Sequence, residues 1–333
     1  MTRILIIKLG ALGDFFLSFG PFAAIRAAHG EAEITLLTTA HLAQLAEDAP
    51  WFDRIEIDRR APWWDLRQIR RLLGQLRGFD FVYDLQTSGR SAVYFRLAGH
   101  PPWSGTVRGA SHPHANPERN RMHSFERQRE QLRAAGIRYF PAPELGWIAG
   151  RKCRFDLPRP YALLVPGAAA HRPAKRWPDE HFAALARHLA AGGLTPVLIG
   201  AEPEQALGRT IRAMAPETTD LIGKSTLADL GPIAAGAALA VGNDTGPMHL
   251  AALLGIPSLV LFSAASDPAL TAPRGPGGEI VAVLAARDLA DLPVERVVAA
   301  LSSLHRPTSH PENARPCLPS AFPTDPSAVS TGL

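Results

Sequence analysis

The chain has 333 residues, which at roughly 100–200 residues per domain favours two domains over one or three. Charged residues make up 20% and AVILMFWYC residues 46%, so it is neither a disordered polyampholyte nor a protein of repeated membrane spans. Lys and Arg number 35 against 31 Asp and Glu, and the resulting +4 suits an anionic ligand or a membrane surface without demanding nucleic acid.

The two cysteines, Cys153 and Cys317, are too few for a disulfide framework or a thiolate metal cluster, which points to a reducing compartment. Lys8 and Asp14 interrupt the apolar N-terminus, no small-residue cleavage site follows it, and no stretch reaches the ~20 apolar residues of a membrane span. These features predict a cytoplasmic location, free or at the inner face of a membrane.

Residues 3–8 (RILIIK) read as a strand, Gly10 to Asp14 as a loop, and 15–28 as a helix. Short β-rich runs at 34–38, 54–58 and 79–85 alternate with helical stretches at 41–48 and 65–76, the pattern of a parallel α/β sheet. From 96 to 121 periodicity gives way to Pro, His, Gly and Arg, which predicts a long functional loop before a helix at 124–136. Prolines between 141 and 160 mark a hinge. A second alternation follows, with strands at 161–165, 195–200, 238–244 and 258–263 and helices at 179–191, 204–214, 228–237, 246–255 and 294–304. Two doubly wound α/β domains facing a cleft are expected, at 1–155 and 156–305. A proline-rich tail, 306–333, is too poor in large apolar groups to offset its ordering entropy and is expected to be disordered.

The motif at Val241 to Pro257, VGNDTGPMHLAALLGIP, ends a strand in Asn243-Asp244-Thr245 and opens a helix with Gly246-Pro247, where a missing N–H does no harm. Free N–H groups and the positive end of the helix dipole suit an anion there, with His249 one turn on; the bland reading is an N-capped core helix. The segment 166–182 carries Arg172, Lys175 and Arg176 on a small-residue loop, which suits a phosphate but also an ordinary solvated basic turn. Asp14, after the first strand, is either a general base or a helix N-cap. Glu204, after a later strand, is either a ribose ligand or a complement to a helix N-terminus. Neither G-x-G-x-x-G nor the P-loop pattern occurs, which disfavours nicotinamide and ATP-motor sites, and no metal-ligand spacing or Gly-x-Ser-x-Gly appears. No cofactor and no metal are expected.

In these segments, and in YDLQTSGRSA at 83–92 and GAEPE at 200–204, the sequence resembles glycosyltransferase family 9, the ADP-heptose:lipopolysaccharide heptosyltransferases, over most of residues 3–300. The resemblance implies a GT-B fold of two Rossmann-like domains facing a central cleft. It implies inverting, metal-independent transfer of heptose from ADP-heptose to a phosphorylated envelope glycolipid. Asp14 then looks like the catalytic base and Lys175 like the cation on the leaving diphosphate. Arg176, Glu204, Asp244, Thr245, Gly246 and His249 look like donor contacts, and Gln86, Arg90 and His123 like acceptor contacts. Val165 and Phe262-Ser263 depart from the family's usual residues beside the donor site. A nucleotide-sugar epimerase or hydrolase on the same scaffold, or a non-catalytic nucleotide binder, is the rival reading. The arginines of the N-terminal half suit a phosphorylated lipid-linked partner, and Trp51, Trp63 and Trp64 form either an interfacial contact at the inner membrane or a core edge.

Overall fold

The run RILII places one charged residue before four apolar ones and forms strand β1 (Arg3–Ile7), its last four residues buried as in a sheet covered on both faces. The computed structural model describes residues 1–62, 64–169, 172–278 and 281–304. In the first half, β1 is followed by α1 (Leu12–Phe16), α2 (Phe19–Ala28), β2 (Glu33–Thr38), α3 (Ala40–Ala46), β3 (Arg54–Ile57), α4 (Leu66–Leu76), β4 (Phe81–Asp84) and α5 (Gly89–Leu97). Then come β5 (Trp103–Gly105), β6 (His112–Pro113), α6 (Ser124–Ala134) and α7 (Gly146–Ala149). The second half runs β7 (Tyr161–Val165), α8 (Asp179–Ala191), β8 (Thr195–Leu198), α9 (Gln205–Met214), β9 (Thr219–Asp220), α10 (Leu227–Ala235) and β10 (Leu239–Asn243). It closes with α11 (Gly246–Leu253), β11 (Ser258–Phe262), α12 (Pro268–Thr271), β12 (Ala282–Ala285) and α13 (Val294–Leu304).

Among the described residues the strands form two six-stranded sheets, ordered β3-β2-β1-β4-β5-β6 and β12-β11-β10-β7-β8-β9. Every pairing is parallel. Read from its other edge, the second order repeats the first. Each sheet therefore reverses direction once, between β1 and β4 and between β7 and β10, and a crevice opens past the carboxyl ends of strands at such a point. The register sets Ile7 beside Asp84 and Gly242 beside Val165, so the loops leaving each pair start side by side.

Three features differ from the sequence reading. The aperiodic stretch 96–121 contributes β5 and β6, whose three- and two-residue lengths are too short to leave an alternating pattern. The single helix expected at 15–28 begins at Leu12 and breaks into α1 and α2, where Ser18 Oγ turns back to the Asp14 carbonyl at 2.7 Å, a bond that bends helices. Trp51 is core, stacked within 4.9 Å of Phe19 and 5.8 Å of Trp147, whereas Trp64 is 82% exposed. Trp63 and the tail 306–333, Cys317 included, lie outside the described residues. No helix among the described residues is long and apolar enough to cross a membrane.

Candidate functional site

At the second crevice, strand β10 ends in Asn243, which is fully buried. Its amide nitrogen donates to the Pro166 carbonyl at 2.7 Å, and its oxygen accepts from the Trp177 N–H at 3.1 Å. One side chain thus staples the basic loop 166–177 to the strand that carries Asp244. The staple is anchored by Trp177, whose indole N–H reaches the Leu292 carbonyl at 2.9 Å.

This stapling brings Lys175 Nζ to 2.5 Å from Asp244 Oδ2, with both side chains buried. His249 Nε2 lies 3.8 Å from the other carboxylate oxygen. Burial pushes the Asp244 carboxyl up, but the nearby His249 and the hydrogen-bonded Lys175 hold it at about 2. It is ionised at neutral pH and keeps the ammonium in place. Helix α11 begins immediately after, with Thr245 as its N-cap residue and no side-chain cap, so the positive end of its dipole stays available to an anion.

A cleft of about 670 Å³ opens in front of these loops, lined by Arg176, Glu204, Thr245, Gly167, Ser225 and Leu12 among others. Glu204 Oε2 accepts from the Ala201 N–H at 2.8 Å, which pins the carboxylate to the cleft floor. The floor needs glycine: a Cβ at Gly167 would lie 2.1 Å from Glu204 Oε1, and one at Gly200 2.7 Å from Oε2. Arg176 donates to the Ala168 carbonyl at 2.9 Å from the same wall. The cleft is sized for a nucleotide, with the carboxylates Glu202 and Glu204 and one cation, Arg176, among its lining residues.

Helix α1 of the first half packs directly on α11. A Cβ at Gly13 would meet His249 Cδ2 at 2.8 Å, and one at Gly246 would meet Leu12 at 2.6 Å, so two glycines permit the approach. Asp14, next to Gly13, is half-buried in the first turn of α1, whose N-cap is Ala11, which settles the capping alternative. Behind it Lys8 is buried, donating to the Leu85 carbonyl at 3.2 Å. Burial lowers the Lys8 pKa; the Asp14 charge opposes this and the Arg127 charge adds to it.

At the same crevice Asp84, buried and pushed up to about 6 by that burial, accepts from the N–H groups of Gln86 and Thr87 at 3.1 and 2.8 Å. Gln86 in turn accepts from the Leu9 N–H at 2.8 Å. Arg119 reaches Thr87 Oγ1 at 2.9 Å, its pKa lowered to about 10 by burial and the neighbouring Arg127 charge. Two further residues read as acceptor contacts have partners within the fold. Arg90 pairs with Asp58 at 3.2 Å. His123 is buried, accepts the Phe125 N–H at Nδ1 (3.1 Å) and donates from Nε2 to the Ala272 carbonyl (2.9 Å), tying the two halves together. Sequence reasoning did not single out Lys8 as a site residue, took Arg119 only as one of the arginines of the N-terminal half, and read Asn243 only as part of the loop that ends its strand. A lysine ending an otherwise apolar strand was the one local signal for the first of them.

Among the described residues no three His, Cys, Asp or Glu side chains gather as a metal site. Comparison with known proteins gives one answer. The family model described as glycosyltransferase family 9 (heptosyltransferase) matches residues 66–294. A curated relative, lipopolysaccharide heptosyltransferase 1 of Pseudomonas aeruginosa, is 28% identical over 297 residues, spanning 82% of this chain and 81% of that one. Among solved structures, Escherichia coli ADP-heptose lps heptosyltransferase II superposes with a TM-score of 0.73 at 23% identity, covering 91% of this chain and 98% of its own. E. coli heptosyltransferase WaaC with ADP-2-deoxy-2-fluoro heptose gives 0.73 at 22% identity, covering 91% and 99%.

Proposed function

The chain belongs to glycosyltransferase family 9 and has the GT-B fold, and from that premise we propose that it moves heptose from ADP-heptose to a hydroxyl of a phosphorylated lipopolysaccharide inner-core acceptor. The observation that carries this reading is the packing of α1 on α11, which sets Asp14 of one crevice one residue from contact with the Lys175–Asp244–His249 cluster of the other. Residues 1–155 serve the acceptor and 156–305 the donor.

In this reading the adenosine lies in the 670 Å³ cleft, with its ribose hydroxyls donating to Glu204. The diphosphate faces Lys175, Arg176 and the start of α11 at Thr245 and Gly246. Asp14 takes the proton of the acceptor hydroxyl, the oxygen attacks the anomeric carbon, and the bond to the diphosphate oxygen breaks with its electron pair leaving on ADP. Attack from the face opposite the leaving group inverts the anomeric centre. Charge grows on the diphosphate as the bond breaks, so fixed cations and a helix dipole act mainly in the transition state and supply what a metal ion would otherwise supply. Asp244 holds Lys175 in place, and Lys8, Gln86 and Arg119 line the acceptor's approach.

Contact with an anionic membrane from the cytoplasmic side is part of the proposal. Trp64 and Leu66, 82% and 77% exposed, stand at the start of α4, whose exposed residues include Arg67, Arg70 and Arg71. The test of the donor assignment is calorimetry with ADP, UDP and GDP in metal-free buffer. ADP is expected to bind at least tenfold more tightly than the other two, and a preference for UDP or GDP overturns the heptose assignment.

A further inference from the structure

A second cavity, of about 150 Å³, lies behind α11. At roughly 100° per residue, His249 and Leu253 sit on the helix face opposite Pro247, and they line this cavity while Pro247 lines the nucleotide cleft. The cavity spans the seam between the two halves. Phe16, Phe125 and Phe140 of the first half and Leu253 of the second make most of its wall apolar.

Three side chains on that wall each keep one buried nitrogen without a hydrogen bond. Arg129 has its guanidinium carbon 4.9 Å from the Phe140 ring centre and 5.3 Å from that of Phe125, and its Nε is buried without a hydrogen bond. Arg274 donates from Nη1 to the Gly278 carbonyl at 3.2 Å, yet its Nε is also buried and unpartnered. His249 is 6% exposed; its Nε2 faces Asp244, and its Nδ1 is buried with nothing to bond. Among the described residues neither arginine has an ion-pair partner.

Buried polar groups are nearly always satisfied, and three orphans at one cavity point to a missing occupant. Two partly buried guanidinium groups without a carboxylate partner make that occupant an anion. Inorganic phosphate would meet them but leave the aromatic wall bare, whereas a cavity of about 150 Å³ admits a benzene-sized body. We propose that this cavity binds a small organic anion, a carboxylate or phosphate ester on a ring-sized apolar body. Its charged head meets Arg129 and Arg274. Because His249 belongs both to this wall and to the Asp244 cluster, occupancy is felt at the donor cleft.

The test titrates benzoate and phenyl phosphate into the full chain by calorimetry, with ADP saturating the donor cleft. Benzyl alcohol and inorganic phosphate serve as comparators, and Arg129→Met and Arg274→Met as variants. One saturable site is expected for an aromatic anion, at least tenfold weaker in either variant and at least tenfold tighter than either comparator. ADP affinity within about twofold of wild type shows that a variant is folded. Should one variant not fold, the other and the wild-type coupling still decide: saturating benzoate is expected to change wild-type ADP affinity at least threefold, and linkage requires the reciprocal change. Absence of saturable binding, binding untouched by the substitutions, or phosphate as tight as phenyl phosphate would overturn the proposal. Loss of ADP binding by the wild-type chain would instead count against the donor assignment.

Discussion

Lys175→Met removes the cation from a buried pair and leaves Asp244 ionised in a site where both side chains are about nine-tenths buried. Removing one partner of such a pair typically costs about 3–5 kcal/mol, because the remaining charge is stranded, whereas replacing both by apolar groups is often neutral. The depressed Asp244 pKa gives an independent scale: holding the group at about 2 rather than 3.8 corresponds to roughly 2–3 kcal/mol. Urea unfolding at pH 7 should therefore show Lys175→Met destabilised by about 2–5 kcal/mol and Lys175→Met/Asp244→Leu restored by at least half of that. ADP binding should be weakened at least tenfold in both. The sign of the pH dependence follows from a carboxyl depressed on folding. The pair's contribution is present above about pH 4 and is lost as the pH falls through about 2, so wild type and single variant converge in acid. A single variant as stable as wild type, or a double variant that regains nucleotide binding together with stability, would refute the reasoning.

Asp14→Asn should lower kcat by about 10²–10⁴-fold, the usual scale for a positioned base, while ADP affinity by calorimetry stays within about twofold. Gly167→Ala puts a Cβ where the Glu204 carboxylate sits, at 2.1 Å, so it should weaken ADP binding about as much as Glu204→Ala does. His123 is held neutral, its pKa lowered to about 4 by burial and the Arg274 charge. Its contribution to stability is full above about pH 6.5 and lost as the pH falls toward 4. His123→Gln should flatten the stability profile in that window, measured by urea midpoints at several pH values.

The alternation of strands and helices was readable because each buried parallel strand is a short apolar run. The residues 3–7, 161–165 and 258–262 carry that signal without ambiguity. Short edge strands such as β5 and β6 are set by pairing with distant residues and carry no local pattern, which is why 96–121 read as loop. The Lys175–Asp244 cluster was partly legible for a similar reason. Asp244, Thr245 and Gly246 are consecutive, and Lys175 and Arg176 sit on one loop, so each segment stood out locally, while the resemblance to family 9 joined the two. What stayed hidden depends on contacts between the halves. Nothing local in the sequence joins Gly13 to His249, His123 to the Ala272 carbonyl, or Arg129 and Arg274 to one cavity. Nor does the local sequence join Arg90 to its partner Asp58, 32 positions away.

The most direct test of glycosyl transfer is ADP release from ADP-heptose in metal-free buffer, followed with and without a phosphorylated inner-core acceptor, with the anomeric configuration of the product read by NMR. Release that depends on the acceptor, is lost in Asp14→Asn and yields the inverted anomer is the predicted result. Equal release without acceptor would contradict the account and make this chain a hydrolase or epimerase of nucleotide sugars.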